Sequence, residues 1–203
     1  MEVLIRKPRN QQEYEEKILF CISEVDRLNH MVDQLLLLAR FENQKQNVKQ
    51  ETIYLNALVL DNLTRFSEKS ENKKLKIKTE FTEDYYLISD NYLVSIIISN
   101  LISNAIKYSN PNGEIAIELG KTNDVVTFSI TDYGVGIAKN DLDKIFNSFY
   151  RSDVSNHPEI KGTGLGLSIV KRLCDLLRIK ISVESRINEK TKFILQFSSA
   201  KLK

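Results

Sequence analysis

The sequence predicts an α+β protein: a two-layer α/β sandwich, its mixed sheet covered on one face by three helices, preceded by a long helix of coiled-coil or bundle type. Three observations predict it. Segments such as GEIAIELG and DVVTFSITDYG alternate apolar and polar residues, so their sheet has one buried face. Three stretches carry an apolar stripe at helical spacing and can cover that face. Ahead of them, residues 11–43 repeat apolar side chains in alternating steps of four and three, without glycine or proline.

In that first stretch Ile18, Ile22, Val25, Asn29, Val32, Leu36 and Ala39 form a heptad seam, widened by Leu19, Leu28, Leu35 and Leu38. A helix of this length, about 45 Å at 1.5 Å per residue, cannot bury its own stripe and wants helical neighbours. ENQKQNVKQE, residues 42–51, reads as a polar hinge. The chain divides into a helical region over 1–45, a linker over 46–53 and a second domain over 54–203. Thr52–Leu55 is a short strand and Asn56–Ser70 a helix. KKLKIKTEF and YYLIS are further strands. Asp90 caps a helix that runs through Tyr108. GEIAIELG and DVVTFSITDYG form a hairpin across Lys121–Asp124. Ile137–Lys161 is a long loop with a turn or two of helix. Leu165–Leu177 is the last helix, and IKISVES and KFILQF close the sheet as a hairpin across Arg186–Lys190.

Composition narrows the function little. The 29 basic and 27 acidic residues leave a net charge of +2, which gives no bulk attraction to nucleic acid or to a membrane surface. Cys21 and Cys174 read as buried thiols in a reducing compartment. The longest nearly apolar run, Leu93 to Ser103, is too short to span a bilayer, and Met1 is followed by charge where a signal peptide would be apolar. A soluble, cytoplasmic chain is expected, with any membrane anchor on a longer parent.

Three short motifs carry chemistry. GTGLGL, from Gly162 to Leu167, leaves backbone N–H groups bare at a helix start, where the helix adds partial positive charge. That is a cradle for phosphate, although a plain glycine turn reads the same. DYGVGI, Asp132 to Ile137, puts a carboxylate after the inward residues Val126, Phe128 and Ile130. It can accept from an amino group such as that of adenine, with Gly134 and Gly136 allowing a flat ring to approach. A β-turn with Asp in a favoured place is the plainer reading. In NLISNAIKY, the polar residues Asn100, Asn104 and Lys107 share a stripe beside the apolar face. An Asn oxygen suits Mg²⁺ and a Lys suits phosphate, while a merely solvated helix face would show the same stripe.

Together these motifs closely resemble the catalytic core of sensor histidine kinases, in the superfamily shared with type II topoisomerase ATPases. NLISNAIKY resembles the family's asparagine motif, DYGVGI its first glycine motif, IFNSFYR (Ile145 to Arg151) its phenylalanine motif and GTGLGL its second glycine motif. EVDRLNHMVDQLLLLARFE resembles the second helix of the dimerisation and phosphotransfer bundle. The resemblance implies ATP and Mg²⁺ as cofactors, a response regulator receiver domain as partner, a homodimer through the helical region and no nucleic acid. It implies that Asn104 binds Mg²⁺, that Asn100 sits near the γ-phosphate and that Lys107 touches phosphate. Tyr108 packs beside adenine, whose amino group Asp132 fixes, while Gly134 and Gly136 shape the pocket. Ile137–Lys161 becomes a lid, anchored by burial of Phe146 and Phe149, and Arg151 stabilises charge on the transferring phosphoryl group. Gly162, Gly164 and Gly166 hinge the lid and face the phosphates, with Lys161, Thr163 and Leu165 in the same nucleotide-binding set.

The chain also departs from the family. Neither His30 nor His157 has the acceptor context, an acidic residue just after and a proline four residues on, so the acceptor is expected upstream of Met1 and autophosphorylation of this fragment is not expected. LLRIKISVES lacks the usual His-Gly-Gly-like turn, and RINEKTKF lacks the usual hairpin glycine. The competing reading is an ATP-dependent binding module without transfer activity.

Overall fold

A computed structural model describes residues 10–42, 48–152 and 162–198. The chain divides into two units, 1–44 and 45–203. The first contains helix α1, Gln11–Glu42. Its seam residues Ile18, Ile22, Val25, Val32 and Leu36 each stand just over half exposed. The side chains of His30, Leu35, Leu38 and Ala39, the hinge residues 43–47, Lys161 and His157 lie outside what is described.

The second unit is built on a five-stranded sheet of order β2-β4-β5-β7-β6. Its strands are β2 (Lys76–Phe81), β4 (Glu114–Thr122), β5 (Val125–Asp132), β6 (Lys180–Arg186) and β7 (Lys190–Ser198). The β2–β4 pair is parallel and the others are antiparallel, so the sheet is mixed as expected. Register aligns the inward residues across it: Leu119 faces Phe128, which faces Leu195, and Ile117 faces Ile130, which faces Phe193. All six are buried. Helices α2 (Leu55–Thr64), α4 (Asn91–Tyr108) and α5 (Gly166–Leu177) form the covering layer. The core lies between them and the sheet, where α4 contributes Val94, Ile97, Ile98, Leu101 and Ile102.

Two details differ from the sequence reading. Asn56–Ser70 is two helices: α2, and a short α3 at Ser67–Asn72. Thr64 Oγ1 donates to the Leu60 carbonyl four residues back (3.0 Å), a bond that competes with the helix ladder. The chain then closes tightly, with Phe66 N–H on the Leu63 carbonyl (2.9 Å). Strands β1 (Glu51–Tyr54) and β3 (Tyr86–Ser89) pair with each other in a separate two-stranded sheet. Asn56 pins this ribbon to α2: its amide donates to the Glu83 carbonyl and accepts from Tyr85 N–H, each at 2.9 Å.

Capping fixes the helix that will matter most. Asp90 Oδ1 accepts from Leu93 N–H (3.1 Å) at the start of α4, and Oδ2 accepts from Lys49 N–H (3.1 Å). At the other end, Lys73 Nζ donates to the carbonyls of Ile106, Lys107 and Ser109 at 2.7–3.0 Å. Cys174 on α5 is buried, which pushes its thiol up to about 12. Cys21 is only half-buried, contrary to expectation, because α1 has no covering layer among the described residues.

Helix α5 ends without a glycine. Arg178 adopts the left-handed conformation (φ 56°, ψ 36°), and Ile179 N–H reaches back to the Cys174 carbonyl (2.8 Å). A non-glycine residue carries strain there. Arg178→Gly is therefore expected to stabilise the protein by about 0.5–1 kcal/mol, after the extra chain entropy of glycine is set against the strain relieved. A higher urea midpoint with an unchanged slope is the reading that checks it. A lower midpoint would mean the Arg side chain contributes contacts that outweigh the strain.

Candidate functional site

A cavity of about 350 Å³ opens between the end of β5, the C-terminal half of α4, the segment after β5 and the β6–β7 hairpin. Period-two alternation brings Asp132 to it. The residue ends β5 on the same face as Phe128 and Ile130, in register with Ile115 on β4 and Thr191 on β7. It is 3% exposed, and its Oδ1 has no hydrogen-bond partner. Burial raises the carboxyl to about 7, against the opposing pull of the Lys73 ammonium and of the backbone N–H groups of Asp132 and Gly134. A buried acceptor without a donor is costly, and here it lies on a cavity wall.

The glycine turn after Asp132 is held from two sides. Ser109 bridges Gly134, and Val135 N–H donates to the Tyr108 carbonyl (3.2 Å), so the end of α4 lies directly on the turn. A β-carbon on Gly134 would overlap the Tyr108 carbonyl. From the other side comes the β6–β7 hairpin: Asn188 N–H donates to the Val135 carbonyl and Ile137 N–H to Ser185 Oγ, each at 2.9 Å. Gly136 takes a positive φ of 68° against the Arg186 carbonyl. The glycine missing from RINEKTKF is replaced by Asn188, at φ 57°. Asparagine is the side chain that tolerates that region best.

The cavity walls bring together Asn104, Tyr108, Asp132, Gly136, Ile137 and Arg151 from the expected set. Gly134 backs the turn. Ile145, Leu167 and Phe193 add apolar surface that suits a flat ring. Burial raises the Tyr108 phenol, with Arg151 opposing.

The second glycine turn and the asparagine helix meet beside the cavity. A β-carbon on Gly162 would overlap Lys107 Nζ, and one on Gly166 would come within 2.8 Å of Asn100 Oδ1. Lys107 Nζ also stands 4.9 Å from the centre of the Tyr108 ring. Thr163 Oγ1 accepts from Leu165 N–H (3.3 Å), and Leu165 is fully buried. Arg151 Nη1 approaches the Gly162 carbonyl at 3.5 Å. Asn100, by contrast, is not on the cavity wall, and its amide donates back to the Ile96 carbonyl (2.9 Å).

Phe149 corrects the reading of the phenylalanine motif. It is 61% exposed, with φ 65°. Its role here is through the backbone: its N–H donates to the Gly164 carbonyl (2.9 Å), and Gly164, at φ 73°, leaves no room for a β-carbon there. The buried member of the segment is Ile145, and Phe146 is half-buried.

Sequence reasoning missed a second cluster on the wall. Asp141 accepts from Tyr150 Oη (2.7 Å) and from Ser152 Oγ, with Lys144 Nζ at 4.0 Å. The Ser152 and Tyr150 bonds hold the Asp141 carboxyl below its usual range. Nothing in the spacing DLDKIFNSFYRS marks these three residues as partners.

The site suits a purine nucleotide. An unpartnered acceptor beside an apolar wall fits an amino-bearing ring, and the bare backbone ahead of α5 with Lys107 over it fits phosphate. No cluster of three acidic, His or Cys ligands occurs among the described residues. A divalent ion here would rest on the Asn104 amide and on oxygens of the nucleotide itself, the pattern Mg²⁺ favours.

The fold is that of an α+β histidine-kinase catalytic domain. The family model described as histidine kinase-, DNA gyrase B-, and HSP90-like ATPase matches residues 89–201, and the chain belongs to that family. Sensor protein RprX of Bacteroides fragilis (strain YCH46) is 33% identical over 176 residues, covering 85% of this chain and 34% of the relative. Sensor protein kinase GraS of Staphylococcus aureus (strain JH1) is 33% identical over 198 residues, covering 97% of this chain and 55% of the relative. The chain thus spans about a third to a half of the length of these curated relatives. Among solved structures, histidine kinase AdeS of Acinetobacter baumannii superposes with a TM-score of 0.79 at 24% identity, covering 98% of this chain and 90% of that one. ShkA in complex with AMPPNP gives 0.79 at 22%, covering 96% and 40%. ThkA in complex with the response regulator TrrA gives 0.77 at 23%, covering 98% and 55%. At these identities the structures establish the fold. Among the described residues no helix is long and apolar enough to cross a membrane.

Proposed function

We propose that the second unit, 45–203, forms the ATP-binding catalytic domain of a two-component sensor histidine kinase and that the helical region before it serves dimerisation and phosphotransfer; the expected linker 46–53 runs into strand β1, which pairs with β3 inside the second unit. The observation that carries this is the Asp132 carboxylate, buried on the cavity wall with Oδ1 unpartnered. It takes the adenine amino group, with Gly134 and Gly136 shaping the pocket and Tyr108 and Ile137 flanking the ring. Asn104 holds Mg²⁺. Lys107 and the 161–166 turn hold the phosphates, and Arg151 faces the phosphoryl group as it leaves for a histidine nitrogen. Phosphoryl transfer asks for positioning and charge neutralisation rather than covalent help, and these residues supply both. The phosphohistidine then passes the group to an aspartate of a response regulator receiver domain. The half-exposed seam of α1 supports a homodimer through the helical region, and the sensor names of the relatives support a membrane-anchored parent with its kinase core in the cytoplasm.

Calorimetric titration with a non-hydrolysable ATP analogue, with and without Mg²⁺, tests the reading. Saturable binding that weakens when Mg²⁺ is chelated is expected; folded protein that binds nothing would overturn it. A second reading, a nucleotide-dependent binding module, is favoured by one observation: Asn100 is not on the cavity wall and its amide nitrogen is held by the Ile96 carbonyl, with only Oδ1 left toward the Gly166 turn. Labelled ATP separates the two. Acid-labile, base-stable label on an added chain that carries the acceptor helix supports the kinase, and binding without transfer supports the module.

A further inference from the structure

Lys73 lies outside every motif of the site, yet it holds the site's frame. It closes α3, and its carbonyl accepts from Asn112 N–H (2.9 Å), which fixes it at the α4–β4 connection. Its three ammonium bonds, to Ile106, Lys107 and Ser109, take the last carbonyls of α4, which have no partner within the helix and lie at its negative end. The other side of that same turn is the nucleotide pocket: the Tyr108 carbonyl accepts from Val135 N–H, and Ser109 bridges Gly134.

The charge matters as well as the bonds. Lys73 is the side-chain charge that offsets burial at Asp132. Around that carboxyl, β4 and β7 present the uncharged Ile115 and Thr191, α4 presents the Tyr108 phenol, and the segment after β5 places Asp141, Tyr150 and Arg151 on the cavity wall. The Asp141 carboxylate is engaged by Ser152 and Tyr150.

Resting on the nucleotide-binding reading above, we propose that Lys73 is a positioning residue for purine selection: it clamps the last turn of α4 onto the Asp132–Gly136 turn and keeps the Asp132 carboxyl an acceptor, so that a 6-amino purine is taken over a 6-oxo one. An ionised Asp132 accepts from an amino group. A protonated one can donate to a ring carbonyl, and selectivity falls. Without the ammonium, the balance at Asp132 moves toward the proton.

The test uses the whole chain as Lys73→Met, which keeps the aliphatic stem, Lys73→Gln, which keeps hydrogen-bond donors without charge, and Lys73→Arg, which keeps the charge. The Asp132 carboxyl is titrated by carbon NMR without nucleotide, and affinities for ATP and ITP are measured across pH. Lys73→Met and Lys73→Gln are expected to raise the Asp132 midpoint by about one unit and to cut the ATP-over-ITP preference near pH 7.5 roughly tenfold. Lys73→Arg is expected to restore much of both. Should both affinities fall together while midpoint and preference stay put, Lys73 is only a structural brace and the inference is wrong; the Gln variant decides the matter if the Met variant does not fold. Wild-type protein that binds neither nucleotide would overturn the function proposed above and purine selection with it, whereas wild-type binding with unaltered variants overturns the Lys73 inference alone.

Discussion

Asp132→Asn is expected to abolish nucleotide binding and at the same time to stabilise the nucleotide-free protein at alkaline pH. Both effects have one cause. The carboxyl is 3% exposed and stands at about 7, whereas in an unfolded chain it would titrate near 3.9. The folded state therefore holds the proton more tightly. Between these values the folded protein binds more protons than the unfolded one, so stability falls as pH rises from about 4 to about 7, and the loss is complete above that. Three units correspond to about 4 kcal/mol at most. An asparagine has no charge to desolvate, although its amide still needs partners, so a gain of about 1–3 kcal/mol at pH 8 is expected. At pH 5 the carboxyl is neutral in the fold but ionised in the unfolded chain, so only about a third of that loss is present and the gain should be about 2–3 kcal/mol smaller than at pH 8. Urea denaturation at the two pH values reads it directly, and an equal difference at both would show that charge is not the cause. The binding loss follows from the same geometry. A carboxylate offers two acceptors, here to the backbone N–H groups of Asp132 and Gly134 and to the open Oδ1. An amide offers one acceptor and turns a donor toward either the backbone N–H or the adenine amino group. Affinity for an ATP analogue should fall at least about 100-fold.

The parts of this molecule that were legible in the sequence are those set by periodicity. Alternation through Val126, Phe128 and Ile130 fixed which face Asp132 would take, and Asp90 three residues before Leu93 marked the start of α4. Periodicity gives the face of an element but not the rotamer on it. Asn100 and Asn104 share a stripe, yet one lines the cavity and the other bonds back to Ile96. The resemblance to the family's phenylalanine motif implies a buried Phe149, while the structure uses its backbone against Gly164 and leaves the ring exposed. Partnerships across the fold left no local trace. The three carbonyls that Lys73 holds lie 33 to 36 residues away, and the Asp141 cluster depends on how the segment after β5 folds back. The break between α2 and α3 had a signal, Thr64 near a helix end, but threonine occurs inside many unbroken helices.

Glycine substitutions should separate the frame of the pocket from its phosphate end. Gly136→Ala is expected to lower stability by about 3 kcal/mol or more, because two penalties add there. Its φ of 68° disfavours any side chain, and a β-carbon would meet backbone that has no rotamer to change: the Arg186 carbonyl carbon at 2.7 Å and Ile187 Cα at 2.8 Å. The hairpin can yield only by giving up the Asn188–Val135 and Ile137–Ser185 bonds, which hold the turn after Asp132. Gly162→Ala meets instead the far end of a flexible side chain, Lys107 Nζ, and has no positive φ. Its stability should stay within about 0.5 kcal/mol of wild type. Displacing that ammonium should nevertheless weaken an ATP analogue while leaving adenosine unaffected, since adenosine carries no phosphate for Lys107 to meet. Thermal melts with titrations of both ligands distinguish the cases. Equal melting of Gly136→Ala and wild type would mean that the β6–β7 hairpin does not brace the turn, and equal weakening of ATP and adenosine by Gly162→Ala would mean that the 162–166 turn shapes the base pocket and not the phosphate site.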